Sequence, residues 1–135
     1  VYDGWSMTVS KEINIDNYYK LWGVTVYLRN LGETNRIFRF TNAAVTASDN
    51  LGNIYEPSPY CQYCTSCEDA YHFVKNLEIE GLKRETIKSG SQYYSCWSEE
   101  NLGSFNGPIP LDAEYLIIHF DGFGPFSNVD VIIDL

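Results

Sequence analysis

The sequence predicts an all-β protein, an antiparallel β-sandwich of seven to nine short strands. Apolar and polar residues alternate with a period of two along much of the chain, and convincing helical periodicity is missing. Clusters of Gly, Asn, Asp and Pro separate the alternating runs, as turns separate strands. Aromatic residues make up 16% of the chain, with eleven Tyr, and this composition favours strands over helices. The 135 residues suffice for a single domain with its own core.

The clearest strand signal lies in residues 22–29, where large apolar residues alternate with small or polar ones. Residues 30–33 then turn the chain. A second turn is predicted at residues 49–53, because Asn and Gly accept positive φ there. Pro57 and Pro59 end the strand that follows this turn. The strands predicted in this half of the chain occupy residues 22–29, 37–41, 43–48 and 54–56.

A cysteine-rich loop at residues 57–70 precedes the second group of strands. Within that group, residues 88–91 predict a turn and residues 103–110 a loop. Residues 115–120 and 129–133 are apolar on both faces or nearly so, which predicts that both strands lie in the centre of a sheet. The strands predicted in this half occupy residues 71–80, 92–98, 114–120 and 129–135.

Residues 1–19 form an N-terminal extended segment or first strand ahead of the sandwich domain at residues 20–135. Trp5, Met7 and Val9 give the segment an apolar face at period two. The polar hinge at residues 16–19 would let it swing out and pair as an assembly strand with a neighbouring subunit. The alternative is an ordinary first strand that pairs within its own domain. Because the chain begins at Val1 rather than Met, we expect a processed, mature protein with ordered ends.

Charge and hydropathy exclude several classes of partner. Eighteen acidic and nine basic residues give a net charge of -9, and the basic residues are scattered singly apart from Lys83 and Arg84. Nucleic acids and anionic membranes require a concentrated basic face, so neither is a predicted partner. No apolar run approaches the eighteen residues of a membrane-spanning helix, so direct membrane insertion is not predicted.

The four cysteines, Cys61, Cys64, Cys67 and Cys96, indicate the compartment. Three close ligands and one distant ligand suit a four-iron cluster, whereas zinc usually takes two Cys-x-x-Cys pairs. An even cysteine count in an exported chain favours two disulfides instead, and three pairings are open. Each pairing links Cys96 to the loop, so one bridge is long-range and the other is local. We therefore predict disulfides and no cofactor.

Other residues that could support chemistry have simpler explanations. His72 and His119 lie in separate predicted strands, near no nucleophile motif, so we predict that the protein is not an enzyme. Oxygen ligands for calcium could come from a turn that hairpin geometry already explains. Exposed aromatic rings could bind sugars or another subunit, or pack in the core. The candidate calcium ligands are Asp49, Asn50, Asn53 and Glu56. The candidate aromatic face consists of Tyr60, Tyr63, Trp97, Phe123 and Phe126.

A characteristic order of segments runs through residues 20–135. It comprises Val24-Thr-Val-Tyr-Leu-Arg-Asn-Leu-Gly32, Phe40, Val45-Thr-Ala-Ser-Asp-Asn-Leu-Gly-Asn-Ile-Tyr55, Ile87-Lys-Ser-Gly90 and Pro110-Leu-Asp-Ala-Glu-Tyr-Leu-Ile-Ile118. This order resembles the immunoglobulin-like domains of uncharacterised secreted prokaryotic proteins. The resemblance implies an immunoglobulin-like sandwich that is exported or displayed, and similar sandwiches are subunits of prokaryotic surface filaments. The cysteine loop is not part of that pattern.

The expected function is that of a non-catalytic extracellular or cell-surface subunit, structural or adhesive, which self-associates and could polymerise into a filament. A carbohydrate-binding module, with glycans as partners, is the alternative that the Tyr and Trp content supports. An iron-sulfur electron carrier is a further alternative, and it depends on the cysteine spacing alone.

We predict that all four cysteines are oxidised in two intramolecular bridges. Alkylation of the denatured, unreduced protein should then label no thiol, and alkylation after reduction should label four, as measured by intact mass. Brown absorbance, stoichiometric iron or zinc, or thiols that react before reduction would contradict the prediction.

Overall fold

The computed structural model describes residues 1–16, 21–55, 75–89, 101–102 and 105–135. These residues form eleven strands and one short 3₁₀ turn at Asn42–Ala44, with no α-helix among them. The strands are β1 (Trp5–Asp16), β2 (Leu21–Asn30), β3 (Arg36–Phe40), β4 (Val45–Asp49), β5 (Ile54–Tyr55), β6 (Lys75–Ile79), β7 (Arg84–Ser89), β8 (Asn101–Leu102), β9 (Phe105–Asn106), β10 (Tyr115–Phe120) and β11 (Val129–Asp134).

The strands form three sheets. The first has the order β1-β2-β7-β8, with β9 also paired to β2, and the second has the order β11-β10-β4-β5. Strands β3 and β6 pair with each other as a third, two-stranded sheet. Every pair among the described strands is antiparallel except β7 with β8. The predicted all-β class with antiparallel sheets is confirmed, and the arrangement is compatible with a β-sandwich.

The apolar row predicted in β2 is confirmed, but burial does not alternate along the whole strand, because Thr25 on the opposite face is also buried. Trp22 is 2% exposed, and Val24, Val26 and Leu28 are fully buried, while Arg29 on the opposite face is exposed. Their period of two places all four apolar side chains on one face of the sheet. Burying a large apolar side chain stabilises a fold by about 1.5–3 kcal/mol, so this face is a main source of stability.

A single hydrophobic cluster joins all three sheets. Phe38 of β3 lies at an aromatic junction, with its ring centroid 5.2 Å from that of Trp5 and 5.0 Å from that of Phe123. Gly124 lies against the same ring, where an added Cβ would come within 2.4 Å of Phe38. Gly124 also has a φ of 56°, a conformation that other residues rarely adopt, so two constraints require glycine here.

The buried amide of Asn30 connects the end of β2 to the β3–β6 pair. Its Nδ2 donates to the carbonyl of Thr34 at 2.8 Å and to that of Ile79 at 3.0 Å. Its Oδ1 accepts from the backbone N–H of Gly32 at 3.0 Å. Because Asn30 is fully buried, these bonds satisfy groups that water cannot reach. The turn predicted at residues 30–33 therefore begins at a structural asparagine.

Several predicted elements differ from the structure. Strand β11 is the last strand of its sheet among the described residues, not a central one, and Ile132 is 53% exposed. Lys88 and Ser89 lie in β7 rather than in the predicted turn, because the ladder with β2 continues to Lys88 opposite Thr25. The predicted loop at residues 103–110 contains β9, which pairs with β2. The predicted central position of β10, between β11 and β4, is confirmed.

The N-terminal segment lies in its own sheet. Strand β1 pairs antiparallel with β2 from Trp5, opposite Asn30, to Asp16, opposite Leu21. Within the single chain this is the ordinary first strand that the sequence left open as an alternative. The register shifts between Glu12 and Asp16, which indicates a bulge or irregularity near the end of the strand. Residues 17–19 of the predicted hinge, and the predicted strands at residues 71–74 and 92–98, lie outside the described residues.

Replacing Asn30 with alanine should lower the free energy of unfolding by about 2–3 kcal/mol, because two buried carbonyls and one N–H lose their partner. Chemical denaturation measures this change. The control is Asn35→Ala, since the Asn35 side chain is exposed and accepts one long hydrogen bond of 3.3 Å from Gly81. Equal stability of the two variants would contradict the structural role of Asn30.

Candidate functional site

The outer edge of β1 is the strongest candidate for a functional surface. The backbone N–H and C=O of Trp5 bond to Tyr2 rather than to β2, at 3.0 and 2.9 Å. The carbonyl of Gly4, the preceding residue, accepts from Leu31 N–H at 2.9 Å, so Gly4 faces the end of β2. Because main-chain groups alternate sides along an antiparallel strand, those of Met7 and Val9 point away from β2 as those of Trp5 do. Among the described residues they have no backbone partner across that edge.

The same stretch lacks the usual protection of an edge strand. Natural edges carry charges, prolines or bulges that prevent another strand from pairing. Residues 5–10 contain no charged residue and no proline, and the register shift begins only after Glu12. The side chains of Met7 and Val9 are partly buried against the core, so the strand is held in place. A partner strand would therefore find a straight, uncharged edge.

The start of β1 is fixed by Arg36. Its guanidinium carbon lies 4.7 Å from the centroid of the Trp5 ring. Its two terminal nitrogens donate to the carbonyls of Asp3 at 3.0 Å and Gly4 at 3.3 Å. Arg36 also lines an open groove of about 470 Å³ that extends to Pro125. Since the guanidinium is engaged by the N-terminal turn, we assign this part of the groove to anchoring β1.

The candidate aromatic face is not exposed where the structure describes it. Phe123 is fully buried and Phe126 is 4% exposed, so placing them on a binding face is wrong. They end a tight turn in which each backbone N–H donates to the other's carbonyl, at 3.1 and 3.0 Å. Positive φ angles at Gly122 and Gly124 form this turn, and both phenylalanine rings pack in the core. The other three members, Tyr60, Tyr63 and Trp97, lie outside the described residues.

The predicted turn at residues 49–53 is confirmed, and its oxygens have protein partners. Oδ1 of Asp49 accepts from the N–H of Leu51 at 2.9 Å and of Asn53 at 3.0 Å. Oδ2 accepts from the side-chain amide of Asn53 at 2.9 Å and from the hydroxyl of Tyr55 at 2.6 Å. Oδ1 of Asn50 accepts from the backbone N–H of Glu114 at 2.7 Å.

These bonds favour the turn explanation over calcium. Both carboxylate oxygens of Asp49 are used by donors of the protein, and the carboxylate is 3% exposed. Within the described ranges no three His, Cys, Asp or Glu side chains gather as a metal-ligand group. Glu56, the fourth candidate ligand, lies outside those ranges.

Burial and hydrogen bonding act in opposite directions on Asp49. Burial raises the pKa of its carboxyl, but the bonds from Tyr55, Asn53 and Leu51 together outweigh it and hold that pKa below the usual value. Burial, with the hydrogen bond to Asp49, raises the pKa of the Tyr55 hydroxyl well above its ordinary value. The ring of Tyr55 also packs edge-on against Trp22, with centroids 5.1 Å apart. Through this ring contact the turn at the edge of the second sheet packs against β2 of the first sheet.

The four cysteines lie outside the described residues, but the strands that lead to them end near each other. Tyr55, before the first cysteine-bearing segment, contacts Trp22. Ser89, before the second, accepts a hydrogen bond from the N–H of Val24 at 3.0 Å. Trp22 and Val24 are successive buried residues at the start of β2. Both preceding strands thus end beside the start of β2, a placement that is compatible with a bridge between Cys96 and the loop. The disulfides remain a prediction.

His119 lies on an outward-facing row of the second sheet. Its Nδ1 is 2.5 Å from Oδ1 of Asp130, its cross-strand neighbour on β11, and Thr46 lies opposite it on β4. The side chains of His119 and Asp130 are 38% and 60% exposed. A histidine with a carboxylate on an open sheet face lacks the enclosed cleft that a nucleophile-base pair uses. The predicted absence of catalysis stays a prediction, and His72 lies outside the described residues.

The fold therefore defines an all-β protein with antiparallel sheets, in which the outer edge of β1 has no partner strand among the described residues. No protein-family model, curated protein or solved structure matches the chain. In the part of the chain that the structure describes, no helix has the length and hydropathy to span a membrane.

The Asp49 network predicts how stability depends on pH. The folded pKa of Asp49 is lower than its unfolded value of 3.8, so its contribution is complete above about pH 4 and is lost as the pH falls through the folded value. Tyr55→Phe should lower the free energy of unfolding by about 1.5–3 kcal/mol at pH 7, since it removes a hydrogen bond to a charged group. The loss should become smaller as the pH falls through the folded pKa of Asp49, because the carboxyl is then protonated.

Denaturation of both proteins over a series of pH values from 7 downward, as far as the wild type stays folded, measures this difference. Tyr115→Phe is the matched control, because Tyr115 is half-buried on β10 and lies outside the Asp49 network. A Tyr55→Phe loss that does not change across this pH series would contradict the network.

Proposed function

We propose that this chain is a non-catalytic structural subunit that works outside the cell and associates with copies of itself through the free edge of β1. The observation that carries the proposal is the outward direction of the main-chain groups of Met7 and Val9. Unpaired N–H and C=O groups on a long edge are a template for another strand. The immunoglobulin-like topology and the extracellular location rest on the sequence resemblance and on the predicted disulfides.

The proposed occupant of this edge is the same edge of a second copy. Two β1 strands related by a two-fold axis run antiparallel, so residues close to the axis lie near their own counterparts. Self-pairing is unfavourable when the strand carries charge, because like charges meet across the axis. Residues 5–10 are uncharged, so the β1 edge avoids this repulsion. This form of assembly leaves β1 in its own sheet, unlike the donation of the strand to a neighbour.

The two alternative functions gain less from the structure. A carbohydrate-binding module would use exposed aromatic rings, but the two described members of the candidate face are buried. An iron-sulfur carrier depends on cysteines outside the described residues. Self-association is the only one of the three functions with an observation from the described residues in its favour.

Met7→Pro should block self-association while leaving the domain folded. Proline removes the N–H of Met7, which points to the free edge, and its ring obstructs a partner strand. The matched control, Thr8→Pro, removes an N–H on the side of β2 and should instead lower the thermal stability of the monomer. Light scattering coupled to size-exclusion chromatography measures the oligomeric state, and circular dichroism measures folding.

Val9→Pro tests the same edge independently if Met7→Pro fails to fold. A wild-type protein that stays monomeric at about 1 mM, a concentration at which even weak contacts form, would contradict the proposal. A folded Met7→Pro variant that associates as strongly as the wild type would contradict the assignment of the edge.

A further inference from the structure

The described outward residues of β7 and of the adjoining part of β2 form a basic patch although the chain is acidic. Strand β7 presents Arg84, Thr86 and Lys88 in this patch, and all three are exposed. On β2, Arg29 pairs with Arg84, and Tyr27 pairs with Thr86. The guanidinium carbon of Arg84 lies 5.2 Å from the centroid of the Tyr27 ring. We call these five residues the basic face. It holds three of the nine Lys and Arg residues of the chain. Thr25, opposite Lys88, is 1% exposed and marks the border of the open area.

The outer face of the second sheet has the opposite character. Strand β11 presents Asp130, Ile132 and Asp134, all exposed, and we call these three residues the acidic face. Ile117 of β10 lies opposite Ile132 and extends its apolar centre. The outward residues of β4, β5 and β10 in this sheet include no Lys or Arg, and one histidine, His119, is bonded to Asp130.

The two faces match in spacing. Arg84 and Lys88 are four residues apart on β7, with the neutral Thr86 between them. Asp130 and Asp134 are also four residues apart, with Ile132 between them. An antiparallel strand rises ~3.4 Å per residue, so both charge pairs are separated by about 14 Å. When β7 of one copy lies along β11 of another copy, each cation of β7 lies beside a carboxylate of β11. Ile132 then packs against Thr86 and Tyr27.

The two faces also point in opposite directions. The inner faces of both sheets contribute to one hydrophobic cluster, so their outer faces lie on opposite sides of the molecule. A contact between different surfaces of identical subunits repeats without limit unless its rotation closes a ring. Pairing through β1 uses the same surface twice and ends at a dimer.

We infer that the basic face of one copy docks on the acidic face of the next copy, and that this contact extends β1-paired dimers into a filament. The inference rests on the proposed function and identifies the contact that continues the assembly beyond the β1-paired dimer. Complementary charge selects the register and the partner face, and the apolar centre around Ile132 is removed from water. Exposed ion pairs are individually weak, so the contact should be sensitive to salt.

Added salt should affect the β1 contact and the contact between the charged faces in opposite ways. Each chain carries a net charge of -9, so added salt screens the repulsion between copies and favours pairing through β1. The same salt weakens the attraction between the basic and acidic faces. At about 20 mM NaCl, where the screening length is roughly 20 Å, we expect long assemblies of the wild type, and at about 0.5 M NaCl we expect dimers. Sedimentation velocity and electron microscopy measure both states.

Charge reversal tests which surfaces meet. R84E/K88E and, independently, D130K/D134K should each raise the concentration needed for filaments at least about tenfold while the dimer remains. Combining all four substitutions in one chain restores opposite charges across the contact, so filaments should return. The control R39E reverses one exposed cation on β3, which belongs to the separate β3–β6 sheet, and this variant should form filaments as the wild type does.

The outcomes distinguish this inference from the proposed function. Filaments that persist in R84E/K88E and D130K/D134K but are lost in Met7→Pro would overturn the face contact and leave the β1 edge in place. A wild type that stops at the dimer in low salt would overturn the face contact as well. A wild type that is monomeric in both salt conditions would overturn both. Failure of the fourfold variant to regain filaments while folded would show that these charges do not face each other.

Discussion

The alternation of side chains along β2 is the constraint on which the first sheet depends. This strand pairs with β1 along one edge and with β7 and β9 along the other. Because successive side chains point to opposite faces, a shift of one residue would move Trp22 and its apolar neighbours out of the core. The large cost of exposing them fixes the register of β2 and, through it, the register of its three partners. The free edge of β1 and the charges on β7 have definite positions for this reason.

The elements that the sequence predicted well are those whose side chains identify a buried face. Residues 22–29 alternate strongly, and β2 lies there. Residues 115–120 are apolar apart from His119, and β10 is central. Strand β7 was missed because Ile87 is its only large apolar residue, and its stability comes from the ladder with β2. Strand β11 has the composition of a central strand, but its outward Ile132 is exposed. A single sequence does not distinguish an apolar edge strand from a central strand.

Turn chemistry was predictable, and the use of its oxygens was not. The spacing of Asp49, Gly52 and Asn53 predicted a turn, which the structure confirms. The carboxylate of Asp49 accepts hydrogen bonds from donors within the protein, including Tyr55, and it is buried. Both features depend on how distant parts of the chain pack, which the turn sequence does not reveal. The edge of β1 was also only partly predictable from the sequence. Trp5, Met7 and Val9 could be chosen from their period, but the direction of their main-chain groups follows from the pairing of Gly4 with Leu31, far along the chain.

The N-terminal turn sets a boundary on the exposed edge. Tyr2 folds back on Trp5 and occupies both of its outward main-chain groups, while Arg36 holds the turn against the ring of Trp5. An incoming strand can therefore run beside Met7 and Val9 but must stop before Trp5. Strands without such an obstacle can slide by two residues and still satisfy their hydrogen bonds. Here the turn blocks one end of the edge and limits how far a partner strand can slide. Subunits that meet along this edge would therefore pair in the same register, and their charged faces would recur at a constant spacing.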